Sequence, residues 1–206
     1  DNPKQIWNYE KYGTPFREGD RFYFFKNDGL QNQSVLYRQE TLDSPPETVI
    51  DPNAFSADGT ASLGELGFSR DGRYLAYTVS EGGSDWRSVF IQDLHTGRLL
   101  PDRIKWAKFT TLAWHADGFY YTRYPEPVAG SALTAANQFG AVYFHRLGTD
   151  QARDTLVYDD RKHPDRSFGA MTTEDERFLC ISGWESTSGM ASLSWVRPSS
   201  SRVRNR

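Results

Sequence analysis

An all-β fold assembled from repeated antiparallel blades, a partial β-propeller, is what this sequence predicts, and three observations predict it. An Asp- or Gly-containing turn leads into a short aromatic strand four times, at Gly19-Asp20-Arg21-Phe22-Tyr23, Asp71-Gly72-Arg73-Tyr74-Leu75, Asp117-Gly118-Phe119-Tyr120 and Asp175-Glu176-Arg177-Phe178-Leu179. The four aspartates are 51, 46 and 58 residues apart, near the roughly 40 to 50 residues that four short strands and their turns occupy. Aromatic and β-branched residues dominate these segments, whereas a 3.6-residue apolar period is nearly absent.

Each unit then reads as a small meander. Before the last three Asp-led strands comes another apolar strand, ending at Leu66–Phe68, Leu112–Trp114 and Gly169–Met171. After all four comes a third strand, at Ser34–Gln39, Ser88–Asp93, Val142–Arg146 and Leu193–Arg197. Asn27-Asp28-Gly29, Asp71-Gly72, Gly82-Gly83 and Asp117-Gly118 supply turn residues that accept positive φ, and Asp93–Gly97 makes a longer hairpin loop. The last, longest spacing contains Pro125–Gly140, an insertion loop with room for a short helical turn around Leu133–Gln138. The blades are expected near 15–50, 60–100, 104–158 and 166–198, about 3.5 to 4 in all, followed by a polar tail over 199–206. Closed propellers have four to eight blades, so the chain reads as the front part of a larger ring. An open ring leaves strand edges unpaired, which predicts edge-to-edge self-association.

Composition limits the partners. Charged residues make up 25% and the net charge is −3, with no basic stripe apart from Arg202, Arg204 and Arg206, so a phosphate-tracking nucleic-acid surface is not expected. The longest apolar runs, Phe22–Phe25 and Ala141–Phe144, fall far short of the ~18 residues of a membrane helix, and no membrane partner is expected. One cysteine, Cys180, excludes an internal disulfide and reads as a small apolar strand residue. Residues 1–12 carry no signal-type apolar stretch and begin with Asp, which reads as a piece cut from a longer chain.

Catalytic patterns are missing. His95, His115, His145 and His163 fall in loops, turns or strand ends without a metal-ligand spacing, and are expected to be surface residues. Neither metal nor cofactor is expected. Gly82-Gly83-Ser84-Asp85-Trp86 lacks the closing glycine of a nucleophile elbow, and Gly64 and Gly67 lack the Lys-Ser/Thr of a phosphate loop. The sequence therefore assigns no catalytic residue in this chain. Trp86, Phe109, Phe168 and Trp184 lie in or beside expected blade-end loops, where each is read either as a ligand contact or as packing between blades.

A resemblance narrows this. Residues 9–37, with the run Lys26-Asn27-Asp28-Gly29-Leu30-Gln31-Asn32-Gln33-Ser34-Val35-Leu36-Tyr37, resemble the first propeller blade of the prolyl oligopeptidase family. Matches continue in order through Asp51-Pro52-Asn53, Phe68-Ser69-Arg70-Asp71-Gly72, Gly83-Ser84-Asp85-Trp86, Lys108-Phe109, Arg123-Tyr124-Pro125 and His145–Asp150, over about residues 7–198. The resemblance implies a seven-bladed propeller capping an α/β-hydrolase domain, whose Ser-Asp-His triad lies downstream of these residues. That enzyme is a serine-type endopeptidase acting after proline. This chain would be its substrate-gating part, inactive alone, with proline-containing peptides and its own hydrolase domain as partners.

The same resemblance carries over four residues. Asp85 corresponds to an aspartate that pairs with an arginine of the hydrolase domain, and Phe109 to an aromatic lining the substrate pocket. Phe168 and Thr187 fall where the family often has a Met and a Cys in that pocket, so thiol sensitivity is not carried over. The location implied is cytoplasmic, or periplasmic if a bacterial signal peptide has been lost. Two other readings stand beside it: a free-standing propeller that binds peptides or proteins without catalysis, and a related exopeptidase propeller, against which the Lys26–Tyr37 run argues.

Overall fold

A computed structural model of the chain describes residues 8–128, 130, 137–185 and the strand backbone of 190–196. The strands of the first two units are β1 (Lys11–Tyr12), β2 (Phe16–Glu18), β3 (Arg21–Asn27), β4 (Val35–Gln39), β5 (Glu47–Ile50), β6 (Ser62–Phe68), β7 (Tyr74–Ser80), β8 (Arg87–Asp93) and β9 (Leu99–Ala107). The next two contain β10 (Ala113–His115), β11 (Gly118–Arg123), β12 (Ala141–Arg146), β13 (Thr155–Asp159), β14 (Arg166–Thr172), β15 (Leu179–Glu185) and β16 (Met190–Val196).

Every strand pair is antiparallel, and the order is that of four meanders: β2 to β5, β6 to β9, β10 to β13 and β14 to β16. β1 and β2 share one edge of β3, with Lys11 opposite Asn27 and Phe16 opposite Tyr23. The second and third meanders join where Arg123 pairs with Ala107, helped by the Tyr124 amide donating to the Trp106 carbonyl at 3.0 Å. The Asp-led segments become β3, β7, β11 and β15, and Cys180 is buried in β15 as expected. The second unit, expected to end near residue 100, runs on through β9 to Ala107.

Three apolar layers fill the spaces between the four meanders. Alternation along a strand sends successive side chains to opposite faces, so β7 directs Leu75, Tyr77 and Val79 toward Tyr23, Leu36 and Ile50 of the first sheet. Its Ala76 points the other way, into a layer with Ile91, Ile104, Trp114, Phe119 and Tyr121. β11 repeats the arrangement, with Tyr120 facing Tyr158, Phe168, Ala170 and Ile181 of the third layer. Central strands are thus covered on both faces, and full burial of a Leu or Phe there contributes about 1.5 to 3 kcal/mol. Trp114 ties two blades by donating its Nε1–H to the Gly67 carbonyl at 2.7 Å.

Two of the Asp-led turns share a hydrogen-bond pattern. Asp71 Oδ1 accepts from Ser69 Oγ at 2.6 Å and from the Arg73 amide at 3.0 Å; Asp175 Oδ1 accepts from Thr173 Oγ1 at 2.6 Å and from the Arg177 amide at 3.1 Å. Gly72 adopts φ +68° as its turn requires. At Asp117-Gly118 the expectation of positive φ is corrected: Ala116 takes the left-handed conformation at φ +50°. Gly118 is needed for another reason, because a Cβ there would lie 2.1 Å from the His145 carbonyl oxygen. The helical turn expected around Leu133–Gln138 falls largely outside the described residues, as does the tail over 199–206.

Candidate functional site

Antiparallel strands reverse direction at each turn, so successive connections alternate between the two ends of a blade. The links β7–β8, β9–β10, β11–β12 and β13–β14 therefore emerge on one face, while the Asp-led turns emerge on the other. On the first face these links bring together residues far apart in sequence.

Lys108 is the centre of that assembly. It follows β9 directly, and its side chain is only 7% exposed. A buried ammonium needs hydrogen-bond or charge partners to offset its lost hydration. Its Nζ donates to Asn137 Oδ1 at 2.8 Å and lies 3.4 Å from Asp85 Oδ2. The same Nζ sits 4.9 Å from the centre of the Trp86 ring and 5.6 Å from that of Phe109, within cation–π range. Trp86 meets Trp106 edge-on at 5.5 Å and Tyr124 at 6.3 Å, and Phe109 meets Tyr124 at 6.5 Å.

The backbone here is strained. Trp106, Phe109 and Phe139 all hold positive φ, at 60°, 49° and 61°, where a bulky L-residue costs about 1 to 3 kcal/mol. Beside them lies a cleft of about 810 Å3 lined by Phe109, Asn137, Pro164, Ser167, Trp184 and Glu185, among others. The cleft hydroxyl of Ser167 is 2.9 Å from Tyr124 Oη, a phenol whose pKa burial raises. Aromatic faces and an exposed carboxylate suit this region to binding, and Ser167 pairs with a phenol instead of a base.

The structure brings some of the expected residues together. Asp85 is 68% exposed and Phe109 49% exposed, both on this face. Trp86 belongs to the same aromatic group, and Trp184 lines the cleft half-buried. Phe168 is a correction: it is 1% exposed in β14, its ring edge-on to Tyr158 at 5.1 Å. Strand alternation points it into the layer between the third and fourth meanders, so it packs between blades. Thr187 lies outside the described residues. Sequence reasoning missed Lys108, Asn137 and Tyr124 as members of the site. Lys108 stands 23 positions from Asp85 and 29 from Asn137, and only its place within Trp106-Ala107-Lys108-Phe109 hinted that its stem would be covered by rings.

The histidines need a second correction. His95 and His163 are exposed, and His115 is half-buried at the end of β10. His145, expected at the surface, is fully buried in β12. Its Nδ1 lies 2.7 Å from Asp154 Oδ1 and its Nε2 3.0 Å from Asp102 Oδ1. Burial alone would lower its pKa, but the hydrogen bonds and charges of Asp154 and then Asp102 outweigh it and raise the value above 6.5. Tyr121 donates to Asp154 Oδ2 at 2.6 Å and the Gly148 amide to Asp102 Oδ1 at 2.6 Å. This cluster sits near the opposite face, sealed between the second and third blades.

Comparison with known proteins agrees with this architecture. Residues 1–205 match the family described as prolyl oligopeptidase, N-terminal beta-propeller domain. A prolyl endopeptidase of Elizabethkingia meningoseptica is 44% identical over 89% of this chain, and prolyl oligopeptidase A of Amanita bisporigera is 38% identical over 94%. The chain spans only 26% and 29% of those two proteins. Among solved structures, prolyl oligopeptidase B of Galerina marginata bound to a 35mer hydrolysis and macrocyclization substrate superposes with a TM-score of 0.81 at 30% identity, over 94% of this chain and 32% of that one. A prolyl endopeptidase studied for inter-domain dynamics in catalysis and specificity gives 0.78 at 33% identity, over 93% of this chain and 29% of that one. With the match running along almost its whole length, on blades of the same pattern, the chain belongs to the prolyl oligopeptidase family as its N-terminal β-propeller domain.

Proposed function

We propose that this chain is the substrate-gating propeller of a serine endopeptidase that cleaves short peptides after proline, and that the Ser-Asp-His triad resides in a hydrolase domain joined to it. The observation that carries this reading is the family match along residues 1–205, combined with a rim where Asp85 and Phe109 are exposed beside the half-buried Trp184 and no nucleophile-base pair is found among the described residues. Exposed aromatic rings suit a proline ring, which is rigid and loses little entropy on docking. The exposed Asp85 carboxylate suits a cationic group of the apposed hydrolase domain. A propeller over the catalytic groups admits slender peptides, excludes folded proteins and keeps bulk water from the reacting carbonyl, where polar contacts then strengthen.

The test is cleavage of a fluorogenic Gly-Pro peptide. The full-length protein that carries this propeller is expected to release the fluorophore, and the 206-residue chain is expected to release none. Hydrolysis by the short chain would place catalytic groups within it and defeat the reading.

A further inference from the structure

The aromatic rim and its carboxylate come from three separate connections, and a single buried ammonium touches all three. Asp85 and Trp86 belong to the β7–β8 link, Lys108 and Phe109 to β9–β10, and Asn137 to the long β11–β12 link. Lys108 Nζ reaches Asp85 at 3.4 Å, Asn137 at 2.8 Å and the rings of Trp86 and Phe109 at 4.9 and 5.6 Å. Through its backbone Lys108 also immediately precedes Phe109, whose φ of +49° is costly unless its surroundings fix it.

We propose that Lys108 is a positioning residue for peptide binding: it holds the Asp85 carboxylate and the Phe109 ring in place across two blades without touching the substrate's reacting atoms. This rests on the reading of the chain as a prolyl peptidase propeller. The geometry sets its action apart from a general fold staple. One partner, Asp85, is 68% exposed and keeps its outer oxygen face toward solvent. Another, Phe109, is 49% exposed at the cleft mouth. A staple serving stability alone has no need to spend its charge on two residues that remain half in water. The lysine stem, by contrast, is almost completely covered, so the ammonium has few alternative positions. Loss of the charge removes the polar tie between the β7–β8 and β11–β12 links and the cation contact of Phe109, while the ring contacts of Trp86 and Phe109 with Tyr124 remain. The interactions so weakened act on the bound peptide before and during reaction alike, and such uniform binding appears in KM with little change in kcat.

The experiment uses the full-length protein and a short fluorogenic Gly-Pro peptide, with Lys108→Met, Lys108→Arg, Asp85→Asn and the double variant Asp85→Asn/Lys108→Met. Methionine fills the buried stem without charge, and arginine restores the charge. The expected result is a rise in KM of about fivefold or more for Lys108→Met, kcat within about twofold, and substantial recovery in Lys108→Arg. The double variant is expected to match the worse single variant, because the two residues act as one unit. Unchanged KM in Lys108→Met overturns the proposal, and so does a fall in kcat and Tm with KM preserved. Fully additive effects overturn the claim that Lys108 works through Asp85. Failure of the wild-type protein to cleave the peptide defeats the underlying reading instead. The positioning claim is then judged by acrylamide quenching of tryptophan emission, where Lys108→Met should loosen Trp86 and raise quenching; equal quenching overturns it.

Discussion

Two polar clusters stand at opposite faces of the second and third blades, and both pair a cation with carboxylates. Around His145 everything is buried: the side chains of His145, Asp102 and Asp154 are each at most 1% exposed. Around Lys108 the cation is buried but its carboxylate partner is 68% exposed. Carboxylates only accept hydrogen bonds when ionised, and His145 places one ring nitrogen against each, so the geometry calls for the doubly protonated ring. Both ring nitrogens of His145 are spent inside the protein, between the outer strand of one blade and the third strand of the next. The Lys108 cluster leaves an oxygen and two rings at the surface, which is the arrangement of a contact region.

The largest effect is expected at His145. Its replacement by alanine leaves two buried carboxylates without their cation, and breaking a buried ion pair from one side costs about 3 to 5 kcal/mol, so chemical denaturation should show a loss near the upper end of that range. The same experiment on Phe168→Ala should show about 3 kcal/mol, the cost of an emptied core position. A smaller loss there, with impaired peptide binding, would restore Phe168 to the cleft. Sensitivity to pH sharpens the contrast further. The folded pKa of His145 is raised above 6.5, so its stabilisation is complete below about 6.5 and is lost as pH climbs through the folded value. Tm should accordingly fall on the alkaline side in the wild type, and His145→Gln should flatten that limb while lowering Tm at neutral pH. The smallest effect is expected at Asp85: Asp85→Asn should change stability by about 1 kcal/mol or less, as for exposed ion pairs, with the difference diminishing in high salt.

What the sequence made legible follows the same division. The Asp- or Gly-containing turn followed by an aromatic strand is a local signal, so β3, β7, β11 and β15 could be read directly; at Asp71 and Asp175 the aspartate bonds backbone and hydroxyl groups within two residues of itself. The outer strand β5 carries only Val49 and Ile50 as apolar residues, and β9 is interrupted by Pro101 and Asp102; both are recognisable chiefly by their partners. β2 is three residues long, too short for a period. The site was partly legible because Asp85 and Phe109 sit in link segments between recognisable strands. Lys108 and His145 were not, because each needs a partner from a distant segment: Asp102 is 43 positions from His145 in sequence and Asn137 is 29 from Lys108. His145 stands two residues from Tyr143 in β12, a strand whose burial does not alternate, so nothing local marked it as buried or showed that the facing strand supplies an acid.

Amide hydrogen exchange on the full-length protein, with and without a product peptide ending in proline, compares the two faces in a single measurement. Bound peptide should slow exchange in the links at 81–86 and 108–112 and leave 145–154 unchanged. Protection centred on 145–154, or none on the rim, would contradict the assignment of binding to the Lys108 face.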